Sequence, residues 1–418
     1  LQFKRVSSTT GVVALTGALL LTSAPMASAD YVRDQQWVMD VFSVQDTWAE
    51  TQGEGVTVAV VDSGVDGDHP DLTGQVLEGK DFTGGKNAQE DKIGHGTKMA
   101  SIIAGHGHGA DGSDGVMGLA PKAKILPLRT LQTRKDRNLD DTWGAAVRYA
   151  VDHGAKVINL SFGNDGGGKT LSAGRDAIAY AQAHDVVVVA ASGNEGSVAV
   201  SEPAALPGVV SVGAVDKNAD LWTDSNTGRG LTLTAPGVEI VGANSTMSNG
   251  YGVSSGTSEA TAYVSATAAL VRSKYPNLTA GQVINRLIKS ASFLGHKGLE
   301  APDDEYGYGI IRPRQAVTMN IPAGPKKNPL GQLAASSVSS QSSKDAGSST
   351  EAKKKKKAFS SSLILFGGVA AVLVIGVVAF VVRRNRRNGG TGSGGGNIPQ
   401  GPGYQSYGQG PQNQNPYS

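Results

Sequence analysis

The chain contains no cysteine, which excludes disulfides, thiolate metal sites and a cysteine nucleophile. A chain of 418 residues can bury a core that needs no disulfide staples, so this absence says little about compartment. One-sided charge is missing too. Lys and Arg number 38 against 36 Asp and Glu, a net of +2, and charged residues make up 18% of the chain. That balance gives no reason to expect a nucleic-acid partner. Glycine, by contrast, is plentiful at 57 residues, which points to tight turns in a folded part and to a low-complexity tail.

Two uncharged stretches are also strongly apolar. Residues 11–21 are apolar, follow Lys4 and Arg5, and precede the small-residue triplet Ala27-Ser28-Ala29. Residues 1–29 are therefore expected to be a secretory signal peptide, and the mature chain to begin near Asp30. The second stretch, 363–382, is long enough to cross a bilayer and runs directly into Arg383-Arg384-Asn385-Arg386-Arg387. It is expected to be a single transmembrane helix with a basic stop-transfer end. Residues 383–418 then form a disordered cytoplasmic tail rich in Gly, Gln, Asn, Pro and Tyr. Residues 322–362 read as a flexible Ser/Lys-rich linker, ending near a five-lysine run at 353–357 suited to anionic headgroups or wall polymer. Together these segments predict a single-pass protein of the cell membrane, with its folded part outside.

The folded part is expected over 53–321, after a lead-in at 30–52 with a short helical piece around 44–51. Near-continuous apolar runs at 56–61, 123–128, 155–160, 186–191 and 209–215 alternate with helical patterns, notably at 142–152 and 172–184. Runs of that kind belong to strands buried on both faces. The alternation predicts an α/β, three-layer fold with a mainly parallel central sheet and helices on both faces. Polar groups at the carboxyl ends of such strands are the first candidates for a site.

Four strand-end or helix-start motifs carry such groups. Asp62 ends the first run, His95 lies in Gly94-His95-Gly96-Thr97 at a helix start, and Asn194 lies in Ser192-Gly193-Asn194-Glu195-Gly196. Ser258 lies in Gly256-Thr257-Ser258, where a glycine-rich turn meets an apolar helix. Singly, each has a duller reading: Asp62 as a turn residue, His95 as a surface histidine, Ser258 as a helix N-cap. Together, an aspartate, a histidine and a serine are what nucleophilic acyl transfer requires, because a hydroxyl needs a neutral imidazole to take its proton and a carboxylate to orient that imidazole. Asn194 supplies an amide donor for an oxyanion. Ser254 and Ser255 compete with Ser258 but lack the preceding Gly-Thr pair. His69 reads as a turn residue, and His106 and His108, near Asp111 and Asp114, read as a solvated loop rather than a metal site.

These motifs, with Val60-Val61-Asp62-Ser63-Gly64-Val65 and His69-Pro70-Asp71-Leu72, resemble the subtilisin family of serine proteases. The resemblance implies a subtilisin-like fold and a serine endopeptidase acting on protein or peptide substrates. Asp62 would orient, His95 would act as base and acid, Ser258 as nucleophile, and Asn194 would complete the oxyanion hole. Ser161, Phe162 and Gly163 would bind the substrate backbone, with 163–169 shaping the pocket. No cofactor is required; structural calcium is frequent in the family, but no ligand set is assignable. The layout of signal, short lead-in, catalytic domain, linker, span and tail resembles mycosins, the membrane-anchored subtilases of actinobacterial type VII secretion. That implies secretion machinery as a partner and, as an alternative function, a structural role in the secretion complex with secondary or no peptidase activity. The chain departs from its relatives in having no cysteine, Glu259 in place of an apolar residue beside the nucleophile, and Ala262 in place of a proline.

Overall fold

The computed structural model describes residues 29–133, 140–163 and 172–333. The expected signal peptide apart from Ala29, the expected span at 363–382 and the tail at 383–418 lie outside the described residues. Among the described residues no helix is long and apolar enough to cross a membrane.

Three short helices come first: α1 (Ala29–Asp34), α2 (Trp37–Val41) and α3 (Val44–Trp48). There follow β1 (Thr57–Asp62), β2 (Lys80–Asp81), α4 (His95–Ala104), β3 (His106–His108), β4 (Asp114–Met117) and β5 (Lys124–Arg129). Next come α5 (Asp140–Asp152), β6 (Val157–Leu160), α6 (Ser172–Ala183), β7 (Val187–Ala191), β8 (Val210–Val215) and β9 (Leu233–Pro236). The last elements are β10 (Ile240–Ala243), β11 (Tyr251–Ser254), α7 (Thr257–Lys274), α8 (Ala280–Ser290) and α9 (Pro313–Thr318).

Seven strands form one sheet in the order β2-β5-β1-β6-β7-β8-β9, and each neighbouring pair is parallel. Alternate side chains serve opposite faces, as strand geometry requires. Val58 and Val60 pack with Met99, Ile102 and Ile103 of α4 and with Val264 of α7. Ala59 and Val61 pack with Trp143 and Val147 of α5 and Ile178 of α6 on the other side. Both faces are thus covered, which is why the strands read as unbroken apolar runs rather than alternating ones. The three layers match the expectation.

Helix α7 is buried from Thr257 to Arg272. It is not amphipathic because it has no solvent face: the sheet lies on one side and α4, α8 and α9 on the other. Its small residues let those layers close. Two of its buried hydroxyls bond within the helix, Thr261 to the Thr257 carbonyl at 2.7 Å and Thr267 to the Tyr263 carbonyl at 2.8 Å, so neither is an orphaned donor.

Two boundaries differ from the sequence expectation. The lead-in has three helices rather than one, and Val38, Met39, Phe42 and Val44 join the central core. Its polar side chains bind the β3–β4 hairpin and the segment just after it. Gln36 both donates to the Met117 carbonyl at 2.8 Å and accepts from the Met117 N–H at 2.9 Å, and Trp48 Nε1 donates to Leu119 at 2.9 Å. Burying Phe42 alone contributes roughly 1.5–3 kcal/mol to the docking of the lead-in. At the other end, the first residues of the expected linker are fastened down. Asn328 Nδ2 donates to the Gly208 carbonyl at 2.8 Å, and the Leu333 N–H donates to Gln182 at 2.9 Å. The linker residues beyond 333 lie outside the described residues.

Candidate active site

Asp62 is the last residue of β1 and its side chain is 1% exposed. His95 is the first residue of α4, and its Nδ1 lies 2.8 Å and 2.9 Å from the two Asp62 oxygens. Placing a helix start this close to a strand end needs a residue without a side chain after the histidine. A Cβ on Gly96 would lie 2.0 Å from the Gly64 carbonyl oxygen and 3.1 Å from Asp62 Cβ. Asp91 secures the same helix start, accepting from the Gly94 N–H at 2.8 Å, the Thr97 N–H at 2.9 Å and the Thr97 hydroxyl at 2.7 Å. The Ser63 N–H donates to Asp62 at 2.7 Å, leaving the carboxylate well supplied with partners.

Burial pulls the His95 imidazole towards its neutral form. The Asp62 charge and hydrogen bond, joined by Glu259 and Asp91, outweigh it and raise the His95 pKa from 6.5 to about 9. The neutral form that can act as a base is therefore favoured as the pH rises.

Ser258 is the second residue of α7, and the N-cap position belongs to Gly256, which makes no side-chain cap bond. The capping reading of Ser258 therefore fails. The Ser258 hydroxyl donates to the Ser161 carbonyl at 3.2 Å, so an attack assisted by His95 requires it to rotate away from that acceptor. Ala262 does not disturb the helix start: α7 runs from Thr257 to Lys274 and Ala262 is fully buried.

Asn194 follows β7 at the same sheet edge. Its Oδ1 accepts from the Thr257 N–H and from the Thr257 hydroxyl, both at 2.8 Å. With the oxygen so occupied, the amide nitrogen is the group left for the cleft. His95, Asn194 and Ser258 line one cleft of about 380 Å³, together with Lys98, Asn244 and Glu259. No residue of the lead-in lines it.

Ser161 lies just past β6 and bonds the nucleophile's helix: its hydroxyl donates to the Ser258 carbonyl at 3.2 Å and accepts from Asn159 Nδ2 at 2.8 Å. Asn159 Oδ1 in turn accepts from Ser265 at 2.9 Å. Phe162 tilts against Trp143 with ring centroids 5.9 Å apart. Ser161, Phe162 and Gly163 are not among the lining residues of this cleft. Residues 164–169 of the expected pocket loop lie outside the described residues.

The rival serines are committed elsewhere. Ser255 Oγ accepts from the Glu239 N–H at 2.9 Å, while Ser254 bridges Lys98 and Glu259. His69 accepts from the Asp71 N–H at 3.2 Å and reaches the Gly250 carbonyl at 2.9 Å, a bridging role. His106 and His108 sit in a hairpin strand rather than a solvated loop, and His108 Nδ1 lies 2.6 Å from buried Asp71. No group of three or more His, Cys, Asp or Glu able to hold a metal ion occurs among the described residues. Lys98 and the Thr257 support of Asn194 were not foreseen. A signal for Lys98 was present: it and Glu259 are opposite charges, each within the first turn or so of a helix whose middle is apolar or small.

Comparison with known proteins places the chain in a family. The sequence model of peptidase S8, the subtilase family, matches residues 53–309. The chain is similar to a thermophilic serine proteinase of Bacillus sp. (strain AK1), at 39% identity over 273 residues, covering 65% of this chain and 64% of that relative's length. It is similar to subtilisin DY of Bacillus licheniformis at 36% identity over 267 residues, covering 62% of this chain and 90% of that relative. Among solved structures, the crystal structure of MycP1 from the ESX-1 type VII secretion system superposes with a TM-score of 0.59 at 30% identity. That match covers 71% of this chain and 88% of MycP1.

Proposed function

The chain belongs to the subtilase family of serine-type endopeptidases, and from that premise we propose that it hydrolyses peptide bonds through an acyl-enzyme on Ser258. The observation that carries the reading is the hydrogen-bonded Asp62–His95 pair facing the cleft that Ser258 and Asn194 also line.

In the proposed cycle, the Ser258 hydroxyl turns from the Ser161 carbonyl to His95 Nε2 and attacks the scissile carbonyl carbon as His95 takes its proton. Asp62 keeps the other proton on Nδ1 and stabilises the imidazolium that forms. The negative oxygen of the tetrahedral intermediate is met by Asn194 Nδ2 and by the Ser258 N–H near the start of α7. Collapse breaks the C–N bond, and the leaving amine takes the proton from His95. Water, deprotonated by His95, then cleaves the ester and restores Ser258. No step needs a cofactor.

We propose further that the domain works outside the cytoplasmic membrane, tethered by residues 363–382. The likeness to MycP1 supports a place beside secretion machinery. An organophosphonate probe tests the chemistry. The folded protein should be labelled at Ser258 and the Ser258→Ala variant should not. A folded wild-type protein that stays unlabelled rules the hydrolase reading out.

A further inference from the structure

Beside the nucleophile the chain buries two full charges that the reaction as described does not use. Lys98 lies one turn after His95 on α4, and Glu259 directly follows Ser258 on α7. Lys98 Nζ is 3.4 Å from Glu259 Oε1, with side chains 4% and 3% exposed. The Ser254 hydroxyl at the end of β11 bridges them, accepting from Lys98 and donating to Glu259. The fold makes room for this arrangement. A Cβ on Gly242 of β10 would lie 2.6 Å from Lys98 Cγ, and one on Gly256 would lie 2.8 Å from Glu259 Oε2. The second Glu259 oxygen therefore sits against the turn that Asn194 also approaches, since the same Gly256 Cβ would be 3.7 Å from Asn194 Nδ2.

A carboxylate in that place is hostile to the proposed chemistry. It adds negative charge where an oxyanion must form, and it favours the protonated form of His95, which cannot act as base. Breaking a buried pair by removing one partner exposes that hostility in full. We propose that Lys98 is a positioning residue for hydrolysis: its ammonium, held through Ser254, offsets part of the Glu259 charge beside Ser258 and so limits the pull of that carboxylate on His95. This rests on the hydrolase reading above.

The charged groups that act on His95 are Asp62 from β1, Glu259 from α7 and Asp91 from the turn before α4, and Lys98 of α4 lines the same cleft. Glu259 is among the groups that raise the His95 pKa. Burial lowers the Lys98 pKa, opposed by Glu259, and the Tyr263 hydroxyl beyond is held neutral by burial and by Glu259. The arrangement predicts opposite effects from its two members. Loss of the carboxylate should make His95 easier to deprotonate, and loss of the ammonium should make it harder.

The test uses the full chain and two readouts: the pH dependence of organophosphonate labelling, and the imidazole titration of His95 by NMR. Glu259→Gln should move the titration and the acid limb of labelling to lower pH by at least about half a unit. Lys98→Met should move both to higher pH by a similar amount and slow labelling at neutral pH. The double variant should return towards the wild-type position, and Lys98→Arg should keep it. Shifts in the same direction for both single variants, or no shift in either, overturn the proposal. If Lys98→Met does not fold, Glu259→Gln decides alone, since its amide keeps the shape, and an unmoved titration overturns the idea. Unlabelled wild type with the opposite NMR shifts intact would sink the hydrolase reading and leave the coupling standing.

Discussion

Among the described residues, two aspartate–histidine pairs joined by side-chain hydrogen bonds have nearly the same local geometry. Asp62 meets His95 Nδ1 at 2.8 Å, with side-chain exposures of 1% and 34%. Asp71 meets His108 Nδ1 at 2.6 Å, with exposures of 0% and 36%. The surroundings differ. Asp62 and His95 stand at the carboxyl end of the sheet, facing a cleft with a serine and an amide donor. Asp71 also accepts the Val116 N–H at 2.7 Å, and its charge, after burial, holds the Tyr251 hydroxyl neutral. A Cβ on Gly115 would come within 2.1 Å of Asp71 Oδ1, so that oxygen is packed against backbone rather than open to a substrate. A buried carboxylate on an imidazole is therefore not a function. The third and fourth partners decide whether the pair does chemistry or fastens a hairpin.

The largest effect that would break this contrast is at the third partner. Ser258→Ala should lower kcat by about 10⁶ while leaving the thermal midpoint near wild type, because the hydroxyl makes one ordinary bond, to Ser161. Steady-state peptide cleavage and a melting curve check both halves. Activity persisting in the variant would mean that another group attacks.

Next in size is the pair itself. Asp62→Asn should lower kcat by roughly 10⁴, because the amide can donate to Nδ1 and so impose the wrong tautomer. It should also change how stability follows pH. The folded His95 pKa is raised from 6.5 to about 9, so the associated stability is fully present below about 6.5 and is lost as pH rises through about 9. Melting temperatures from pH 6 to pH 10 should fall less steeply in Asp62→Asn than in wild type. Wild-type activity should rise over the same interval as His95 gives up its proton. Equal melting slopes in the two proteins would remove Asp62 as the cause of the raised pKa.

A smaller effect belongs to the fourth partner. Asn194→Ala should cost about 10²–10³ in kcat with little change in KM, the pattern of a donor used in the transition state. It also releases the two Thr257 donors that Asn194 Oδ1 now accepts, so a loss of stability should accompany the kinetic one. A rise in KM at constant kcat would instead assign Asn194 to ground-state binding.

Much of this was legible in the sequence, and what was not has physical reasons. The five strands read from apolar runs lie within a residue or two of β1, β5, β6, β7 and β8, because burial on both faces writes itself as uninterrupted Val, Ile and Ala. Strand β9 is short and ends in Pro236, and β10 and β11 contain Gly242 and Gly252, so none carries that signature. The pairing of β10 with β11 came as a surprise for the same reason, since the stretch around Tyr251 reads as a glycine-rich turn. Asp62, His95, Asn194 and Ser258 were legible because each sits at a glycine-bordered turn. Glu259 was visible as an oddity, but its partners were not: Lys98 and Ser254 are 156 positions apart, and nothing local links them. The role of His108 is not legible locally, because its partner, Asp71, lies 37 positions earlier, beyond the first strand.

The smallest catalytic effect and the clearest structural one should come together at the second pair. Asp71→Asn replaces one acceptor oxygen with a donor in a place where His108 Nδ1, the Val116 N–H and the Tyr251 hydroxyl all converge. Arg33 feels the same charge and binds the hairpin through the carbonyls of Gly112 and Gly115, both at 3.0 Å. At least one buried donor must therefore lose its acceptor, at a cost of about 1–3 kcal/mol in unfolding free energy. The loss should appear as earlier release of the lead-in, measured as faster hydrogen exchange over α1 and β4, before the central sheet opens. Turnover per folded molecule should stay within about twofold of wild type, since no atom of Asp71 lines the cleft. If kcat instead falls tenfold or more at a temperature where the protein is folded, the two aspartate–histidine pairs are coupled. The path would then run through Tyr251 and β11 to Ser254, and the hairpin would be part of the machinery rather than its fastening.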